Sequence, residues 1–306
     1  MTKPLIIGTR GSELALWQAH HTQHILGQLG IETQLEIIST KGDQIQNLSF
    51  DKIEGKGFFT KEIEQALMDN TIDIAVHSHK DLETAAHDRL IIAAVSHRAD
   101  PRDILITKKD FFQSDLPLHF SMNSRVGTSS VRRKTQIKNI RPDVSFVDIR
   151  GNVPTRIQKL RDGQCDALML AAAGIERLNI DLSEFHVQLL DPASFVPAPA
   201  QGVLGWQCRR DDSTTLDVLK KIHHIEVQET IAIERTLLQK MEGGCQLPLG
   251  VYCTKNQNEF EVHVAFSTGL ENPLLQFEYR NSDAENCISH CLDKLKKWQE
   301  FSSAEI

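Results

Sequence analysis

Three kinds of residue in this sequence have types and positions suited to chemistry: a lone cysteine, an aspartate closing an apolar strand, and a set of arginines. Cys245 stands in MEGGCQLPLG, Met241 to Gly250, behind two glycines and ahead of a proline. The glycines stop the preceding helix and remove side chains, so a bulky group can approach the backbone. A thiol on such a loop suits covalent attachment or nucleophilic attack; a buried free cysteine is the plain alternative. Asp81 directly follows the apolar strand IDIAVH, beside Lys80 and near His77 and His79. A carboxylate at a cleft edge holds or moves a proton, or stabilises a cation forming in a transition state. A helix cap or a surface Lys–Asp pair would equally place an acid there, and a histidine packed at a strand end is more often structural than catalytic.

The arginines fall where strands hand over to helices. In VGTSSVRR, Ser129 and Ser130 precede a helix whose first turn carries Arg132 and Arg133. A helix N-terminus favours anions, and two guanidiniums add forked donors for carboxylate or phosphate. The other reading has serine capping the helix and both arginines in water. Arg150 and Arg156 in RGNVPTR, Arg177 in AGIERL and Arg10 in GTRGS bring the set to six. Planar guanidinium forks suit a substrate with several carboxylates better than lysine does.

These residues need loops at the carboxyl ends of strands, and the sequence predicts such loops. PLIIGT reads as a strand, with Ser12 capping a helix from Glu13 to about Leu29, ended by Gly30. TQLEIIST is a second strand, FDKIEGKGFF an irregular loop, TKEIEQALMDN an amphipathic helix with Thr60 as cap, and IDIAVH a third strand. After HRADPRD the alternation restarts and runs to AAAGIERL. DPASFVPAPAQG then crosses stiffly with three prolines, and the strand GVLGWQC returns toward the first half. Two hinged α/β halves facing a cleft follow from this pattern, with domain 1 over 1–96 plus about 198–222 and domain 2 over 100–193. The helix VQETIAIERTLLQKM, three strands alternating on a period of two and a closing helix make 223–306 a small α+β domain on an antiparallel sheet.

The 306 residues, 40% hydrophobic and 25% charged, suffice for several globular domains. The longest apolar run, near ALMLAAAGI, is half of the roughly 18 residues that cross a bilayer. The N-terminus lacks a signal pattern, so a cytoplasmic protein without membrane contact is expected. Net charge is −7, yet Arg125 to Arg161 carries ten Lys/Arg against two acids. A basic island in an acidic chain points to a local anion site and away from nucleic acid, since few aromatics are interleaved. Cys287, His290 and Cys291 share a helix face but lack a fourth ligand, so no metal site is expected and the structural reading is taken.

Taken in order, IGTRGSELALWQA, EGKGFFTKEIEQAL, DIAVHSHKD, DPRD, VGTSSVRRKTQ, RGNVPTR, AAAGIERL and MEGGCQLPLG resemble the porphobilinogen deaminase (hydroxymethylbilane synthase) family from about residue 5 to 253. The resemblance implies a dipyrromethane cofactor joined by a thioether to Cys245. It implies that porphobilinogen loses ammonia to give an azafulvene, which the free pyrrole α-carbon of the growing chain attacks. Four units add, and water then releases hydroxymethylbilane. It implies that Asp81 is the catalytic aspartate, which stabilises the cationic intermediate through pyrrole N–H contacts, and Lys80 a cofactor contact. Arg10, Ser12, Ser129, Ser130, Arg132, Arg133, Arg150, Arg156 and Arg177 then hold the acetates and propionates, and Lys56 and Phe59 lie on a mobile loop. It implies a monomer whose first two domains resemble the halves of periplasmic binding proteins. Departures are KDLETAAHD after the aspartate, with Leu82 and Glu83 in place of a proline-containing run, Glu54 and Ala200 where glycine is usual, and His79 where an apolar residue is usual. They bear on loop and hinge conformation and on rate, not on the reaction. The rival readings are a non-catalytic two-lobed anion binder and a degenerate paralogue.

Overall fold

The structure, a computed structural model, describes residues 3–40, 60–84, 87–242 and 246–304. In chain order, β1 (Leu5–Thr9) leads into α1 (Glu13–Gln28) and β2 (Thr33–Ile37), and α2 (Lys61–Met68) leads into β3 (Ile74–Ser78). A single 3₁₀ turn, His79–Asp81, closes β3 before β4 (Leu90–Val95). The second run is β5 (Asp103–Lys108), β6 (Arg125–Gly127), α3 (Val131–Ile140), β7 (Ser145–Val147), α4 (Val153–Arg161), β8 (Ala167–Ala171), α5 (Ala172–Leu178) and β9 (Phe185–Leu189). The last is β10 (Leu204–Arg209), α6 (Ser213–Lys220), α7 (Ile225–Lys240), β11 (Leu249–Asn256), β12 (Glu259–Phe266), β13 (Leu275–Asn281) and α8 (Ala284–Ala304).

The chain divides into two compact units, residues 1–98 with 203–227 and residues 99–202 with 228–306. In the first, the sheet order is β2-β1-β3-β10-β4, with β1 parallel to β2 and β3, and β10 antiparallel to β3 and β4. The second unit repeats the plan as β7-β6-β8-β5-β9, with β6 parallel to β7 and β8, and β5 antiparallel to β8 and β9. Both sheets are covered on two faces. On β5 and β8, Ile104, Ile106, Leu168 and Leu170 pack against one helical layer, while Leu105, Ala167 and Met169 pack against the other. Burial of both faces explains why these strands read as continuous apolar runs. In the first unit Trp206 is buried on α1, and its Nε1 donates to Thr22 Oγ1 at 2.8 Å, so the indole leaves no polar atom unmet.

The second unit also holds the antiparallel sheet β11-β12-β13, whose inner face packs on α7 and α8. Cys287 and Cys291 lie in that core, and His290 stacks on Tyr279 at 3.8 Å between ring centroids. These three side chains are spent on packing. Glu234 on α7 is fully buried and accepts from the Ala200 and Cys253 backbone N–H groups at 2.6 and 2.7 Å, tying the proline-rich crossing to β11. Ala200 is buried with φ +61°, the left-handed backbone that glycine adopts freely and that costs an L-residue about 1–2 kcal/mol.

Candidate active site

The first unit places its polar residues at the carboxyl ends of β1 and β3, where the chain leaves adjacent parallel strands in opposite directions. That switch point is where open α/β sheets bind ligands. Beyond β1, Ser12 caps α1, its Oγ accepting from Ala15 N–H at 3.4 Å. Thr9 Oγ1 donates to the Ala15 carbonyl at 3.0 Å, which fixes the turn carrying Arg10. Gln18 Nε2 donates to Ser78 Oγ at 2.8 Å and so ties α1 to the end of β3. His79 N–H donates to the Val203 carbonyl at 2.9 Å, anchoring the turn that carries Lys80 and Asp81. The result is a pocket of about 100 Å³ lined by Arg10, Ser12, Gln18, Thr60, Ser78 and Asp81, with His77 at its wall. Asp81 is exposed, and Arg10, Ser12 and Lys80 are half-buried.

Of two expectations near this pocket, the Thr60 cap resolves differently from the sequence reading and the structural histidine agrees with it. Thr60 stands at the N-cap of α2, but its side chain makes no cap bond and its buried hydroxyl has no partner among the described residues. Its φ of −116° and ψ of −30° are helical, which takes the hydroxyl away from the capping geometry. His77 is a structural residue: it is buried, and its Nε2 lies 3.0 Å from Gln207 Oε1. Gln207 Nε2 donates to Glu64 at 2.9 Å, so its Oε1 is the acceptor and His77 Nε2 carries the proton. Burial pushes His77 down to about 4, more than the Gln207 bond offsets, and the ring is neutral at pH 7.

The second unit assembles the arginines at the equivalent edge. Ser130 precedes α3 with no side-chain cap bond, and Ser129 Oγ donates to the Ile149 carbonyl at 3.1 Å. Arg132 and Arg133 are buried rather than solvated. Arg132 Nη1 donates to Asp103 Oδ2 at 2.7 Å and to the Val196 carbonyl at 2.8 Å. Arg133 Nη2 and Nε donate to Asp103 Oδ1 at 2.7 and 3.1 Å, and its Nη1 to the Met169 carbonyl at 3.0 Å. Burial alone would raise the Asp103 carboxyl; the two guanidiniums outweigh it and hold that carboxyl well below the usual range. Two cations sharing one anion leave the cluster with a positive charge in excess.

Arg150 precedes the turn into α4, and Arg156 lies in the first turns of that helix. Asn152 caps that helix by accepting from Thr155 N–H at 2.9 Å, and Arg156 Nε donates to the Gly151 carbonyl at 2.7 Å. Gly151 has φ +105°, and a Cβ there would lie 2.7 Å from Thr155 Cγ2, so this turn requires glycine. Arg177, beyond β8, donates from Nη2 to the Gly202 carbonyl at 2.8 Å, and burial pushes it down to about 10, with Glu176 offsetting only part. Gly202, at φ +91°, is also required, since a Cβ would meet the Ala99 carbonyl at 2.6 Å.

Of the residues singled out in sequence, the structure thus joins Arg10, Ser12 and Asp81 in one pocket, and Ser129, Ser130, Arg132 and Arg133 at one helix start. Lys56, Phe59, Glu54 and Cys245 lie outside the described residues. Asp103, the buried partner of Arg132 and Arg133, lies in the motif DPRD, which gives no local sign of that pairing. No helix among the described residues is long and apolar enough to cross a membrane.

Comparison with known proteins gives this arrangement a family. The family model described as "Porphobilinogen deaminase, dipyromethane cofactor binding domain" matches residues 5–217, and that described as "Porphobilinogen deaminase, C-terminal domain" matches 228–297. Curated relatives named porphobilinogen deaminase include one from Halalkalibacterium halodurans, 43% identical over 87% of this chain and 85% of its own length. Another, from Shouchella clausii, is 42% identical over 88% and 84%. Among solved structures, the chain is similar to the Gly52Ala mutant of arginine-bound ArgBP from T. maritima, at 13% identity and TM-score 0.38 over 71% of this chain and 93% of that one. The matches span the pocket, the arginine-bearing sheet and the small antiparallel domain, and do not favour a non-catalytic anion binder. The chain belongs to the porphobilinogen deaminase family and is an enzyme of that family.

Proposed function

We propose that this chain is a transferase that joins four porphobilinogen units head to tail, with loss of one ammonia each, onto a dipyrromethane primer held by Cys245, and then releases hydroxymethylbilane by hydrolysis. The observation that carries the reading is the pocket where Asp81 shares the β1/β3 switch point with Arg10 and Ser12. We propose the three-domain division 1–96 with about 198–222, 100–193, and 223–306, and a cytoplasmic monomer.

The residues present fit a polycarboxylate primer. Each pyrrole carries an acetate and a propionate, and the Asp103 cluster holds more guanidinium than carboxylate in a buried site. Incoming carboxylates would compensate that excess. Arg10, Ser12, Lys80, Ser129, Ser130, Arg132, Arg133, Arg150, Arg156 and Arg177 would hold these groups. When bound, the dipyrromethane supplies the pyrrole carbon to which substrate is joined. Asp81 offers its carboxylate to pyrrole N–H groups and offsets positive charge that develops as ammonia departs. Burial pushes Cys165 and Cys208 up to about 11 and Cys291 up to about 12, and raises Cys287. Those thiols are protonated and enclosed, which supports Cys245, on its glycine-flanked loop, as the attachment point.

Intact-mass measurement of the purified protein beside Cys245→Ser tests this. The expected result is an excess of two linked pyrroles on the wild type and none on the variant. A bare wild-type mass from a host able to make porphobilinogen would overturn it.

A further inference from the structure

We propose that Asp103 is the positioning residue of the anion cradle: its carboxylate fixes Arg132 and Arg133 so that their excess positive charge meets the carboxylates of the pyrrole chain. The inference rests on the function proposed above. Asp103 is fully buried and opens β5, which runs antiparallel to β8 with Asp103 opposite Ala171. That register carries the first residue of β5 to the edge where β8 hands over to α5. Its Oδ2 accepts from Arg132, and its Oδ1 accepts from Arg133 and from Gln201 Nε2 at 2.9 Å. Gln201 Nε2 donates also to the Pro101 carbonyl at 2.8 Å, so the carboxylate is itself pinned from the crossing segment.

The two arginines use this anchor unequally. Arg133 commits all three guanidinium nitrogens to described residues, and Arg132 commits Nη1. Arg133 and Asp103 therefore act as a charged platform, and Arg132 keeps Nε and Nη2 as the donors for a ligand carboxylate. A single shared carboxylate is what makes this work. A second would neutralise the cradle, and none would leave two like charges to drive the guanidiniums apart.

The test compares wild type, Asp103→Glu and Asp103→Asn as full-length chains made without porphobilinogen and then supplied with it. Intact mass follows the appearance of the two-pyrrole addition, steady-state kinetics give kcat and KM separately, and thermal unfolding reports the fold. Asp103→Glu keeps the charge and displaces it by one methylene. It is expected to fold, to gain the two-pyrrole mass more slowly and to lose roughly 100-fold in kcat/KM, the scale set by misplacement of about 1 Å, mainly through KM. Asp103→Asn is expected to lose at least as much. A folded Asp103→Glu with loading rate and KM within about twofold of wild type would overturn the proposal. So would an Asp103→Glu that does not fold, which would make the residue structural. Wild-type loading and turnover in the same series hold the functional reading fixed; their absence would sink that reading first.

Discussion

The turn after β1 and the turn after β6 occupy the same place in two sheets of the same strand order, yet they use arginine in opposite ways. After β1, Arg10 is half-buried and borders a small pocket with Ser12 and Asp81. After β6, Arg132 and Arg133 are buried on one carboxylate, at 5% and 6% exposure. Topology therefore chooses where side chains meet a ligand, and the local counter-ion decides what they do there. In the first unit the carboxylate is exposed and lines the pocket, where the proposed reaction would use it. In the second it is enclosed and serves to hold cations.

The largest effect should come from the carboxylate left for chemistry. Asp81→Asn is expected to unfold at the same temperature as wild type but to lose at least about 100-fold in kcat, the range of a positioned charged or acid–base group. A rate within a few-fold of wild type, read from porphobilinogen consumption, would move Asp81 out of the reaction and erase the contrast.

Stability sharpens the comparison further. Arg133→Leu removes one of two cations from a buried carboxylate and should cost on the order of 3 kcal/mol. Arg10→Leu, at a partly open site, should cost about 1 kcal/mol or less. Both should raise KM. Urea unfolding midpoints with equal losses for the two variants would show that burial does not separate the turns.

A smaller effect concerns pH. The folded pKa of His77, about 4, lies below its ordinary 6.5, so the unfolded chain takes up the proton first. Its contribution to stability is complete above 6.5 and is lost as pH falls toward 4, about 2 kcal/mol between pH 7 and pH 5. Thermal unfolding of His77→Asn should show a shallower loss over that window. An unchanged slope would assign the acid sensitivity to other groups.

Much of this molecule is legible in one dimension. The helix from Glu13 ends at Gln28 with Gly30 at φ +73°, because a capping serine and a left-handed glycine are local signals. The strands IAVHS and ALMLA stand where apolar runs place them, and the three-stranded sheet follows its period of two. Arg10, Ser12 and Asp81 were picked from position at strand ends. What stayed hidden depends on pairing. Nothing in DPRD says that Asp103 begins an antiparallel strand inserted beside β8, and only that insertion brings it under two arginines 29 and 30 residues later. Nor does the sequence separate a capping Thr60 from one whose hydroxyl is enclosed beside the pocket.

By itself, then, the sequence determined the element types, the strand-end positions of the chemically capable residues and the ordered motifs that mark the family, because each depends on near neighbours along the chain. The tertiary structure decided which carboxylate is enclosed and which is open, and which arginine donors are spent and which are kept. Those outcomes follow from register and burial between residues remote in sequence, where one antiparallel strand reverses the end of the sheet at which a side chain emerges.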